Sequence, residues 1–190
     1  MISKIVLTAC VLAGLLGALT ISSLAVFTDT QTVPANTFTT GSIDISTNPT
    51  TALVTFSGMF PGDQVTAPIT VTNAGTGQLR YAITSTTTEN VLAAQLDLTI
   101  KSGVTTCTNA SWAATGTVLY GPNDLGTTTG SNLVGNPAQG SQAGDRTLNA
   151  SANEVLCVNV TLPIGTSGTT YQTLNDTATF SFQAQQTANN

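Results

Sequence analysis

The chain of 190 residues contains no histidine and only four lysines and arginines, against nine aspartates and glutamates. Without histidine, neither a Ser–His–Asp nor a Cys–His nucleophile can be built, and a His-Glu-x-x-His zinc site is excluded. So few basic residues cannot displace counterions along a phosphate backbone, so no nucleic-acid partner is expected. Charged residues of both signs make up only 7% of the chain. Scarce charge accompanies disorder only when hydrophobicity is low as well. Here 41% of residues are apolar and many are β-branched, so a folded domain is expected, with a neutral surface of Thr, Ser, Asn and Gln. No long amphipathic helical pattern occurs, and no repeat of about 20–50 residues points to a solenoid or propeller. The glycine-rich stretches lack the lysine of a phosphate loop.

Cysteine is scarce too, at three. Cys10 lies in the N-terminal apolar run. Leu7-Thr8-Ala9-Cys10 superficially resembles a lipoprotein cleavage box, but most of the apolar run follows the cysteine instead of preceding it. That leaves Cys107 and Cys157, which read as a disulfide in an exported chain. Two buried free thiols are the alternative. Zinc is disfavoured because two isolated cysteines are half a site.

The strongest feature present is the N-terminus. Lys4 supplies a positive start, and residues 5–25 are apolar or small and uncharged. Ser23-Leu24-Ala25 puts small residues before a cleavage point between Ala25 and Val26. A signal peptide over 1–25 and a secreted domain over 26–190 are therefore expected. Loss of Lys4 with the leader would leave three basic and nine acidic residues, net −6. A retained membrane anchor is the alternative, because the run approaches the roughly 20 residues that span a bilayer.

Beyond the leader the pattern is that of short strands. Residues 42–47 alternate and are broken by Asn48-Pro49. Leu53-Val54-Thr55-Phe56 reads as a second strand, and Phe60-Pro61-Gly62-Asp63 as a turn. Strands follow over 65–73, with Ile69 and Val71 on one face, and 79–86, with Leu79, Tyr81 and Ile83 together. Residues 89–95 suit one helical turn, and 96–100 alternate again. Residues 116–120 read as a strand ended by Gly121-Pro122-Asn123-Asp124. Residues 126–144 form a long surface excursion with a short strand at 132–134. Residues 146–148, 154–163 and 177–185 complete the strands, the last with Ala178, Phe180, Phe182 and Ala184 on one face. Tyr171 to Leu174 fits a second helical turn. Short links imply antiparallel pairing, and the whole an all-β sandwich or barrel.

Several pieces carry a family resemblance. The leader is followed by Ala25-Val26-Phe27-Thr28-Asp29-Thr30 and then Asn36-Thr37-Phe38-Thr39-Thr40-Gly41-Ser42-Ile43-Asp44-Ile45. Met59-Phe60-Pro61-Gly62-Asp63 leads into Ile69-Thr70-Val71-Thr72-Asn73-Ala74-Gly75, and the chain closes with Ala178-Thr179-Phe180-Ser181-Phe182-Gln183-Ala184-Gln185-Gln186. In this order they resemble the TasA/camelysin family of secreted bacterial proteins. Residues 107–145 match none of its patterns. The resemblance implies an antiparallel jelly-roll sandwich, a leader removed by a SipW-type signal peptidase, and a biofilm-matrix or cell-surface location. It also implies a head-to-tail homopolymer, with other matrix proteins as further partners. Subunits of that family add an extended N-terminal segment to the next subunit's sheet, and such a contact does not close, so it builds fibres. Here that donor segment is 26–40, with Val26, Phe27, Val33 and Phe38 as its apolar positions. The other reading is that 26–40 is this domain's own first strand. Camelysin is described as a metalloendopeptidase, but a chain without histidine offers no such ligands, so that activity is not carried over. No cofactor and no metal are expected.

Other residues invite weaker readings. The carboxylates are scattered, and a pair could act on sugars only if the fold brought two within about 5–10 Å. Pro122-Asn123-Asp124 and Gly144-Asp145 offer oxygens to calcium, but neither forms an EF-hand loop. Trp112 with Tyr81, Tyr120 and Tyr171 could form a sugar-stacking platform. A monomeric surface module that binds glycans through Trp112 and residues 121–144 is therefore the alternative function. Asn109, Asn149, Asn159 and Asn175 each begin a glycosylation sequon.

Overall fold

The computed structural model describes residues 37–188 together with Ser3 and Gln31. Most of the expected leader, the expected cleavage pair Ala25 and Val26, and the expected donor positions Phe27 and Val33 lie outside the described residues. Phe38 is described, and its ring is 92% exposed.

The chain from Thr40 onward is one unit. It holds nine strands: β1 (Ile45–Asn48), β2 (Gln64–Asn73), β3 (Leu79–Thr87), β4 (Asp97–Ser102), β5 (Thr117–Asp124), β6 (Ser131–Val134), β7 (Arg146–Leu148), β8 (Asn153–Thr161) and β9 (Ala178–Gln186). One sheet has the order β1-β2-β8-β4-β5. In the other, β3 is central: β9 pairs along one edge, and β6 and β7 share the opposite edge. All these strand pairs are antiparallel. Five of the eight connections pass from one sheet to the other, and the late strand β8 lies between β2 and β4. The expected antiparallel β-sandwich with jelly-roll-like crossovers is the fold.

Alternation explains the core. Ile69 and Val71 from β2, Leu98 and Ile100 from β4, and Leu156, Val158 and Val160 from β8 meet Leu79, Tyr81 and Ile83 from β3 in one cluster. Phe180 and Phe182 of β9 pack against it. At 25 cal/mol per Å², each fully buried Leu, Ile or Val contributes about 1.5–3 kcal/mol. The expected turn at 60–63 closes through Asp63 N to Phe60 O at 2.9 Å, with Gly62 at φ +96°.

Two expectations need correction. Residues 53–56 pair with no strand; Leu53 and Val54 are half-buried against the core as irregular chain. Their strand-like composition does not secure a strand, because strand propensity measures fit to a half-buried pleated surface more than a backbone preference. The strand at 117 does not stop at Gly121 but runs to Asp124. The register slips between Leu98 and Ile100, where Gly121 sits at φ +83°. A Cβ at Gly121 would lie 1.9 Å from the Leu98 carbonyl oxygen. Glycine there makes a bulge that carries the strand past its apparent breaker.

Each sheet is strapped on its outer face. Over β4 and β8 lies the 104–116 loop, joined by the Cys107–Cys157 disulfide. Lys101 Nζ, buried on β4, donates to the carbonyls of Trp112, Ala113 and Thr115. Over β3 and β9 lies the 136–145 loop, where Arg80 Nε is 3.9 Å from Asp145 and Gln185 donates to the carbonyls of Pro137 and Ala138.

Candidate functional site

The unpaired 52–56 segment and the start of β9 border a cleft of about 370 Å³ that reaches core residues Val65, Leu96, Leu125, Val160 and Phe180. A second cleft, about 690 Å³, opens beside it between residues 56–61 and 166–176, lined by Phe56, Phe60, Leu92, Leu162, Tyr171 and Leu174. The two share Phe56, Met59, Leu96, Asn175 and Asp176. Large apolar side chains are exposed here, Phe56 at 46% and Phe60 at 74%, among polar lining residues such as Thr166, Gln172 and Asn175. Thr173, also in the lining, holds φ +61°, a strained conformation for a β-branched residue and typical of functional segments.

Two carboxylates organise the rim. Glu89 accepts from the amides of Val91, Leu92 and Ala93 at 2.7, 2.8 and 3.0 Å and starts the turn expected at 89–95. Asp176 Oδ1 accepts from Thr88 N at 3.0 Å, Thr88 Oγ1 at 2.9 Å and Glu89 N at 3.2 Å. Asp176 Oδ2 is buried with no donor.

β9 pairs only with β3 among the described strands. Over Ala178–Ala184 it carries no charge and no proline. Natural sheets usually block such an edge with lysine, proline or a bulge.

The remaining candidate residues fall elsewhere. Trp112 is half-buried in the strap; its indole N–H donates to Gln64 Oε1 at 3.0 Å, and Lys101 Nζ lies 5.3 Å from the ring centroid. Tyr81 is buried in the core and Tyr120 donates to the Asp124 carbonyl, so the aromatics do not converge on a sugar platform. Asp145 is engaged by Arg80 and by the amides of Asn136 and Gln142, not held open for calcium. Asp97 and Asp124 do stand opposite each other across β4 and β5, which the sequence spacing did not suggest. Asn159 is 1% exposed and bonded to Gln64 and Thr66, so its sequon is inaccessible in the folded domain. Asn109, Asn149 and Asn175 are exposed.

Burial and Glu154 push the Tyr81 phenol far above its ordinary range. Burial, with Asp124 adding, raises Tyr120. The hydrogen bond to Glu154 raises Arg146. None of these three groups lines either cleft.

The domain is thus a charge-poor β-sandwich with a cleft beside β9, a strand that pairs only with β3 among the described strands. The chain belongs to the camelysin family: the family model described as camelysin metallo-endopeptidase matches residues 1–190. No curated protein matches the chain. Membership supports a secreted protein of matrix type at the coarse level. The family's name implies a metal, and the described residues do not fit one. Among the described residues no three Asp, Glu, Cys or His side chains gather, both remaining cysteines are in the disulfide, and a catalytic zinc needs three protein ligands.

Proposed function

We propose that this protein is a secreted structural subunit of an extracellular matrix or cell surface, assembled head to tail through its N-terminal segment. In this reading, removal of the leader after Ala25 frees residues 26–40. Val26, Phe27, Val33 and Phe38 then dock in a neighbour's sandwich by β-augmentation, and the repeated contact builds a fibre. The observation that carries the reading is the cleft between 52–56 and β9, which opens the core beside an uncharged strand edge. The irregular backbone of 52–56 adds support: among the described residues, 49–59 belong to no strand and make no backbone–backbone hydrogen bond.

The test is negative-stain electron microscopy of the processed chain, Val26 to Asn190, beside a chain that starts at Gly41. Fibres from the first and none from the second are expected. Replacing Phe27 and Phe38 with Asp leaves folded monomers that do not polymerise, read by circular dichroism and sedimentation. Monodisperse particles from every chain would overturn the proposal and turn attention to glycan binding at the Trp112 strap.

A further inference from the structure

Asp176 lines both clefts and carries an oxygen without a partner. A buried carboxylate oxygen with no donor is costly unless a partner supplies one, and a cationic donor compensates best. Oδ2 of Asp176 is the only buried carboxylate oxygen without a partner among the described residues. Its residue lies in the wall common to both clefts. Oδ1 of the same group is saturated by three donors, so the carboxylate is anchored and cannot turn to find another.

The chain has few cations to offer. Beyond the leader its basic side chains are Arg80, Lys101 and Arg146. Lys101 is spent on three carbonyls, Arg146 on Glu154 with Nη2 at 2.6 Å from Oε2, and Arg80 lies in the strap beside Asp145 and Gln185. Cleavage after Ala25 would create one more cation, the α-ammonium of Val26. It is followed by Phe27, whose ring suits a cleft walled by Phe56, Met59 and Leu96. Reach is sufficient: residues 26–40 extend to roughly 50 Å at about 3.3 Å per residue, whereas β9, nine residues long, spans about 30 Å.

We propose that Asp176 of one subunit pairs with the α-ammonium of Val26 of the next. This rests on the donor-segment reading above and adds a chemical condition to it. In the unprocessed chain the Val26 nitrogen is an uncharged amide. Pairing therefore couples assembly to removal of the leader, and the wrong N-terminus leaves Asp176 unsatisfied.

The experiment measures the critical concentration for fibre formation by sedimentation. It compares the processed chain, its Nα-acetylated form, D176N, the acetylated D176N chain, and the chain starting at Gly41. The D176N amide keeps the Oδ1 acceptor and replaces only the orphan oxygen, while acetylation leaves the folded domain untouched. Acetylation and D176N are each expected to raise the critical concentration about tenfold, the size of one charge-assisted hydrogen bond. The doubly altered chain should be no worse than either alone. If the Gly41 chain fails to assemble but the acetylated chain assembles like the parent, the pairing is wrong and the donor segment stands. If the Gly41 chain assembles normally, the donor reading falls and the pairing with it.

Discussion

Tyr81 is 1% exposed on β3 and donates its phenolic proton to Glu154 on β8, which also takes Arg146 from β7. Three strands from two sheets are joined there by one carboxylate. Because the folded phenol titrates above the ordinary value of 10.0, the neutral form is favoured by folding. The sign follows from linkage: the stabilisation is complete below about pH 10 and is lost as pH rises from there toward the folded value. Urea unfolding of the wild type should therefore show a constant midpoint from pH 7 to 9 and a falling one above about pH 10. Y81F should lower the stability by about 1–2 kcal/mol at pH 8 and flatten the alkaline decline. The inward position of Tyr81 was legible from its alternation with Leu79 and Ile83. Its partners were not, since Glu154 lies 73 residues away.

The strap over the five-stranded sheet shows how much an element owes to contacts outside itself. Residues 104–116 have little apolar periodicity, yet they are held by the Cys107–Cys157 bond, by Lys101 and by Gln64. The disulfide closes a separation of 50 residues, for which the chain-entropy model gives about 4 kcal/mol. Replacing both cysteines with Ser should cost about that much in thermal or urea unfolding. It should also expose Trp112 and shift its fluorescence to the red while the strand signal in circular dichroism remains. An unshifted Trp112 emission would mean that Lys101 and Gln64 hold the strap unaided. The cysteine pairing was open to sequence reasoning because only two cysteines lie beyond the N-terminal apolar run. The strap's cover of Lys101 was not, because a lysine inside an alternating strand reads as solvent-facing until a loop is laid over it.

At the scale of the whole molecule, the balance between solubility and association rests on very little charge. A net charge of −5 over 190 residues gives weak mutual repulsion, and the exposed Phe56, Phe60 and Ile164 add apolar attraction. If the chain assembles as proposed above, its strand edges decide what it pairs with. Ser181 points outward from the middle of β9. S181K should leave the monomer's stability within about 0.5 kcal/mol, as surface substitutions usually do. It should nevertheless reduce fibre yield severalfold, because a lysine on an edge strand opposes further pairing. Unchanged fibre yield would place the growing contact away from β9.

Composition and alternation alone determined a great deal about this protein: an all-β chain, the inward faces of β2, β3, β4 and β9, the turn at 60–63, and the pairing of the two cysteines. These depend on local periodicity and on which residues are available, so they survive without coordinates. Only the tertiary structure decided that 53–56 stays unpaired, that β5 continues past Gly121, and that Asp176 is left with an unsatisfied oxygen between two clefts. Each of those depends on which distant backbone lies alongside, Leu98 for Gly121 and Thr88 for Asp176. That adjacency is set by strand pairing across 23 residues in one case and 88 in the other, and a short sequence window carries no trace of it.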